Sequence, residues 1–266
     1  LGMAYPSWYY VPSNWSEASE SGGQKQARIS AKDPALQTDP PCIKHCACSR
    51  YEGGHLLTKD LSQIELRVAA LVSGDLSFIA EYQKRKPDLH ALSAMTGLCI
   101  DTEAEMLARY SGWRSGDMKV DPRQWFKSLN FLIVYRGSPG RAQESFLQDS
   151  GIYQPVSWFD AIIKRLYAKY PRLWKWQESL YVEADRVGRL EIPGTGHSRF
   201  FVGGSREYYY NEICNFYIQG IAGICKLRIQ HKLRQILNPH LRASISVRQT
   251  QNTYDAVTMD VKPGHL

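Results

Sequence analysis

No apolar run in this sequence approaches the ~20 residues that a helix needs to cross a bilayer. A membrane-spanning protein is therefore not expected. The opening residues, LGMAYPSWYYVPSNW, contain no basic segment followed by an apolar one, so no secretory signal is read there. A soluble intracellular protein, cytoplasmic or belonging to a nucleoid or phage system, is the expectation. Cysteine is scarce, with six residues at 42, 46, 48, 99, 214 and 225. Three of them lie in CIKHCAC beside His45, but C-x3-C-x-C is not a common zinc spacing and no second Cys/His pair stands at a finger-like distance. Reduced cysteines at the start of a strand are the better reading.

What is present is enough for a core. With 266 residues, 43% of them hydrophobic, the chain suits one large or two small domains. Lys and Arg outnumber Asp and Glu by 33 to 26, for a formal charge of +7, and the pI is near 9.0. That balance permits a polyanionic partner without requiring one. Sixteen Tyr and seven Trp suit base stacking among basic residues and suit a core equally well.

The chain is organised around Leu56 to Asp75, LLTKDLSQIELRVAALVSGD. A short apolar run ends on Asp60, and after Leu61 the spacing turns helical, with Ile64, Val68, Leu71 and Val72 on one face. The expectation is a strand that ends on a carboxylate and turns into a buried helix. A carboxylate on a rigid strand end is a fitting ligand for Mg²⁺, which takes hard oxygen donors. Taken alone, Asp60 is better read as the start of the helix. Ser62-Gln-Ile-Glu65 reads as a capping box, with Glu65 folding back on the helix start.

Further helices are expected over Asp75 to Lys86, closed by Pro87, and from Asp101 or Thr102 to Tyr110. Another is expected in SPGRAQESFLQDSG, then one over Val156 to Gly188 broken at Pro171, and a long one from about Arg206 to Leu237. GRLEIPGTGHSRFF reads as a hairpin, as do Ile245 to Asn252 and Ala256 to Val261, with Tyr254-Asp255 at the bend. A second decisive stretch is DPRQWFKSLNFLIVYRG, in which Arg123, Lys127, Phe131 and Tyr135 recur every four residues. On a helix they form one stripe of two cations followed by two rings. Cations attract a triphosphate and a ring can stack on its base. A solvated basic face beside a buried aromatic one explains the same spacing.

These stretches together resemble the family A DNA polymerases, the group of bacterial DNA polymerase I. DLSQIELR is similar to their motif A, D-Y-S-Q-I-E-L-R, with Leu61 the one departure, at a position where the family uses the backbone carbonyl. ARISAKDPALQT resembles the element that lies along the primer–template minor groove, with Arg28 and Gln37 at the contacting positions; such contacts are nearly sequence-independent. PDLHALSAMTG resembles the helix whose His touches the triphosphate, here His90, which read alone is an ordinary helix residue. Arg123, Lys127, Phe131 and Tyr135 match the fingers-helix signature, with Arg136 as an extra residue before Gly137. NFYIQGIAGICKL places Asn215 and Gln219 at minor-groove contacts, although a buried Gln satisfied by backbone competes for the latter. N-T-Y-D-A-V-T-M-D-V resembles motif C and retains Asp255, but has Tyr254 for the His and Ala256 for the following Glu.

The resemblance implies an α+β right-hand polymerase fold with an antiparallel palm sheet and helical fingers, thumb and exonuclease domains being absent. Palm would occupy 1–74, fingers 75–187 and palm again 188–266. It implies Asp60 and Asp255 as catalytic metal ligands for two Mg²⁺ ions, joined by the Leu61 carbonyl. Leu61, Gln63, Glu65, His90, Arg123, Lys127, Phe131 and Tyr135 would bind the nucleotide, with Glu65 as the steric gate against a 2′-hydroxyl. Arg28, Gln37, Asn215, Gln219 and Tyr254 would touch DNA. Its implied partners are primer–template DNA, deoxynucleoside triphosphates and a second polypeptide supplying thumb or the palm C-terminus, because the chain begins on Leu1 and ends five residues after Val261. The alternative is a polymerase-like DNA-binding or scaffold subunit that has lost catalysis, for which the altered motif C is the evidence.

Overall fold

The strand read around Leu56 forms as His55–Asp60 (β3) and ends on the acid. The computed structural model describes residues 7–9, 30–32, 47–201, 206–244, 247–253 and 256–264, and the side chains within 47–201, 210–237 and 256–264. Arg28, Gln37, Tyr254 and Asp255 lie outside them, as do Cys42, His45 and Cys46. The other four cysteines are free thiols. The chain divides into two units: 1–64 with 191–200 and 216–266, and 65–190 with 201–215.

In the first unit, Ser7–Tyr9 (β1) pairs antiparallel with Ser30–Lys32 (β2). Val247–Thr253 (β6) and Ala256–Val261 (β7) form the expected hairpin, and β7 lies between β6 and β3 in an antiparallel sheet. Val257, Thr258, Asp260 and Val261 of the middle strand are buried. That burial demands partners for the polar members. Thr258 meets Thr58 across the ladder, hydroxyl to hydroxyl at 3.0 Å. The Asp260 carboxylate accepts from Ser49 Oγ at 2.6 Å and from Arg50 Nε at 2.9 Å. A second hairpin joins Arg189–Ile192 (β4) to His197–Phe200 (β5).

The second unit is helical, and its helices begin where short polar side chains can cap them. Ile64–Ser73 (α1) is followed by Leu76–Gln83 (α2), where Asp75 accepts from the amides of Ser77 and Phe78. Leu89–Leu98 (α3) is capped by Asp88, and Glu103–Arg109 (α4) by Thr102. Pro122–Val134 (α5) follows Asp121 and Pro139–Ser150 (α6) follows Ser138, each with Pro at the first position, where no amide is missed. Val156–Lys169 (α7) and Pro171–Val187 (α8) divide at Pro171, and Gly188 closes α8 in the left-handed region. Arg206–Ser244 (α9) continues past the expected Leu237 and crosses from this unit into the first. Phe78, Phe126, Phe159, Leu166, Tyr170 and Leu173 form the centre of the core.

Gln63, between Ser62 and the first helical residue of α1, has φ +53. Two expectations are corrected. The buried face of α1 is Leu66, Val68, Ala69 and Ala70, and Leu71 is 71% exposed. Two alanines permit close approach, and that rotates the helix away from the face the larger side chains suggested. The helix expected to Lys86 stops at Gln83, where Lys84 becomes extended ahead of Pro87.

Candidate active site

Asp60 is exposed at the end of β3, and its partner in the antiparallel register is Ala256. The ladder thus sets the end of β3 beside the first residue of β7. Leu61 comes next and its carbonyl accepts from the Ile64 amide at 3.1 Å, leaving a second lone pair. A carboxylate and a carbonyl at a strand end are hard oxygen donors of the kind Mg²⁺ takes. Among the described residues no three His, Cys, Asp or Glu side chains gather. Ala256, buried opposite Asp60, brings no carboxylate. Gln63 and Gln219 are half-buried in the same unit.

The stripe read in α5 exists as a helix, and its members have different surroundings. Arg123 Nε donates to both oxygens of Asp88, at 2.9 and 3.1 Å. Asp88 also accepts from Arg114 Nη1 at 2.9 Å and from the Ala91 amide at 3.2 Å. Burial alone would raise the Asp88 carboxyl, but these hydrogen bonds outweigh it and hold it below the ordinary carboxylate range. One turn along, Lys127 is exposed. Phe131 and Tyr135 stack, with ring centroids 6.2 Å apart and planes 21° apart.

His90 is 5% exposed and lies against α5, where Asn130 Nδ2 donates to its Nδ1 at 2.9 Å. That bond makes Nδ1 an acceptor and puts the proton of the neutral ring on Nε2. Burial first, then the charges of Arg123 and Lys127, bring His90 down to about 4 against the opposition of Asp88. The ring is neutral at pH 7, so it can donate a hydrogen bond but not a charge.

The Tyr135 hydroxyl donates to the Glu65 carboxylate, so this acid, read as a possible cap for its own helix, reaches α5. Tyr135 is also where α5 ends. Arg136, expected as an extra residue, takes the left-handed position after the cap, at φ +57. Glycine usually occupies that position, and another residue loses about 1 kcal/mol there. The freed carbonyls of Ile133 and Val134 accept from Gln177 Nε2 at 2.8 and 3.0 Å. Asn215, in α9, is half-buried and its Oδ1 is buried without a partner among the described residues.

Asp88, Asn130, Arg136 and Gln177 were not assigned roles from the sequence. Asp88 had a signal, since it stands two residues before His90 inside the quoted PDLHALSAMTG. Asn130 and Gln177 had none, because nothing local says that an amide will face a partner on another helix.

A family model described as DNA polymerase family A matches residues 20–247. Thermostable DNA polymerase I of Thermus aquaticus is 31% identical over 171 residues, which are 62% of this chain and 18% of that protein. DNA polymerase I of Streptococcus pneumoniae serotype 4 is 27% identical over 209 residues, 73% of this chain and 21% of that one. The chain thus spans about a fifth of the length of these relatives. Among solved structures, the POL domain of Pol1 from M. smegmatis, in complex with DNA primer-template and dNTP, superimposes with a TM-score of 0.67 at 20% identity, covering 89% of this chain and 40% of that one. That likeness is one of fold.

Proposed function

This chain belongs to DNA polymerase family A, and on that premise we propose that it carries palm and fingers elements of a template-directed DNA polymerase, which adds deoxynucleotides to a primer 3′-hydroxyl. The observation that carries the proposal is the pairing of Asp60 with Ala256, which brings motif A to the neighbour of Asp255. Asp60, Asp255 and the Leu61 carbonyl are the oxygen donors for two Mg²⁺ ions. Bound there, Mg²⁺ supplies a lowered pKa at the primer hydroxyl and neutralises charge on the triphosphate.

The remaining roles follow from the side chains. Asp88 takes Arg123 by Nε, and the two Nη groups form the edge that grips a phosphate in bidentate fashion. Lys127 adds a mobile point charge. His90, neutral, orients α5 through Asn130 and belongs to the nucleotide-binding set beside Arg123 and Lys127. Phe131 and Tyr135 give flat faces for sugar and base, and Glu65 stands as the gate against a 2′-hydroxyl. Gln63 completes the nucleotide-binding set. Arg28, Gln37, Asn215, Gln219 and Tyr254 contact primer–template DNA.

A second reading is a DNA-binding subunit without catalysis, favoured by Ala256 standing where the family has an acid opposite Asp60. Primer extension by the unmutated chain, Asp60→Asn and Asp255→Asn, with DNA binding measured in parallel, separates the two. The polymerase reading expects each variant to lose at least ~100-fold in extension with binding kept. Binding by all three without Mg²⁺-dependent extension by the unmutated chain would establish the second.

A further inference from the structure

We propose that Arg136 is a positioning residue that fixes Tyr135 against Glu65 and thereby sharpens discrimination between deoxy- and ribonucleotides. The inference rests on the reading of Glu65 as the sugar gate. Glu65 receives the Tyr135 hydroxyl, so the place of the gate depends on the place of that ring. Tyr135 is the last residue before the chain reverses. The reversal is tight: the amide of Arg136 donates to the Ile133 carbonyl at 3.1 Å and that of Gly137 to the Leu132 carbonyl at 2.7 Å.

A glycine in the left-handed position would make this turn and leave it free to open. Arginine makes it and then holds it. The Arg136 guanidinium lies 3.9 Å over the Trp174 ring and 4.8 Å from the rings of Tyr181 and Tyr210, and it pairs with Glu178. Trp174, Glu178 and Tyr181 share one face of α8, and Tyr210 comes from α9. The side chain is 14% exposed. Withdrawing the Tyr135 hydroxyl from Glu65 by rotating residues 135–137 would drag a desolvated cation out of three aromatic faces and an ion pair.

A capping role does not account for this arrangement. Gln177 already donates to the carbonyls of Ile133 and Val134, and the Tyr167 hydroxyl lies 2.9 Å from the former. The helix end is satisfied without the Arg136 guanidinium, whose contacts are with α8 and α9. Lysine offers the charge without the planar stack, so it is a partial substitute.

The test compares Arg136→Met, Arg136→Gly, Arg136→Lys and Glu65→Ala in the full chain. It measures the ratio of dNTP to rNTP incorporation opposite one template base, and hydrogen exchange at the amides of Tyr135 and Gly137. Arg136→Met and Arg136→Gly are expected to lower the ratio about tenfold, Arg136→Lys less, and exchange to rise in the same order. Arg136→Gly relieves the backbone, so loss of selectivity with thermal stability kept assigns the effect to the cage. If Glu65→Ala lowers the ratio while Arg136→Met and Arg136→Gly do not, the proposal is overturned. If Glu65→Ala leaves the ratio unchanged, or the chain incorporates neither sugar, the gate reading fails and exchange decides the clamp: unchanged protection at Tyr135 and Gly137 in Arg136→Met overturns it.

Discussion

The Arg123 guanidinium is held side-on by Asp88, the residue that also caps the helix bearing His90, so one carboxylate ties the start of α3 to the first turn of α5. The pair is 22–25% exposed and therefore only partly screened.

Asp88→Asn isolates the charge, because Asn caps a helix about as well as Asp. The variant is expected to lose about 1–2 kcal/mol of stability and to raise KM for dNTP several-fold with a smaller change in kcat. Steady-state kinetics with denaturant unfolding checks this. An unchanged or lower KM would show that Asp88 restrains Arg123 without orienting it.

Acid should act through the same residue. The Asp88 carboxyl is depressed in the folded state, so its stabilisation is complete above the ordinary carboxylate pKa near ~4 and disappears as pH falls through the lower folded value. Asp260 is depressed too, since the bonds from Ser49 and Arg50 outweigh burial. Below pH ~4 the unmutated chain should lose stability more steeply than Asp88→Asn or Asp260→Asn. Parallel curves for all three would reject this.

His90 operates in a different window and with a different sign. Its folded pKa of about 4 lies below the ordinary value of 6.5, so the unfolded chain binds the extra proton between those pH values. Stability is then full above 6.5 and falls as pH drops towards 4, by up to roughly 3 kcal/mol. Unfolding midpoints across pH 4 to 7 for the unmutated chain and His90→Gln should differ in slope, the variant being flatter.

Gln177 is 0% exposed and holds two carbonyls at the end of α5. Gln177→Leu keeps the bulk and removes the donors, which should cost about 1–3 kcal/mol, because the Val134 carbonyl loses the amide while that of Ile133 keeps the Tyr167 hydroxyl and the Arg136 amide. A variant as stable as the parent in urea would mean that water or a shifted backbone replaces the amide.

Gly97 faces the Phe126 ring, and a Cβ there would lie 2.5 Å from two ring carbons. Gly97→Ala must push α3 from α5, and overpacking of this kind costs about 1–3 kcal/mol. Because the same contact seats His90 beside Asn130, the variant should also raise KM for dNTP. A loss of stability with unaltered KM would separate the two effects.

The sequence by itself determined what depends on a few neighbouring residues. Asp75, Thr102, Asp121 and Ser138 start helices, Pro171 divides one, and Gly151 and Gly188 end two, because capping and backbone freedom act within a turn. The order of residues in DLSQIELR and in the Arg123 to Tyr135 stripe was also legible, and it led to the family that the comparison found. Only the tertiary structure decided which groups meet. Leu71 looked apolar enough for the core and is exposed, because Ala69 and Ala70 let that side of α1 pack closer. Asp60 comes opposite Ala256, Glu65 receives a hydroxyl from 70 residues away, and Arg136 finds three rings on two other helices. Ion pairs, stacked rings and buried amides draw their energy from partners that chain order leaves far apart, so only packing of the whole unit brings them within range.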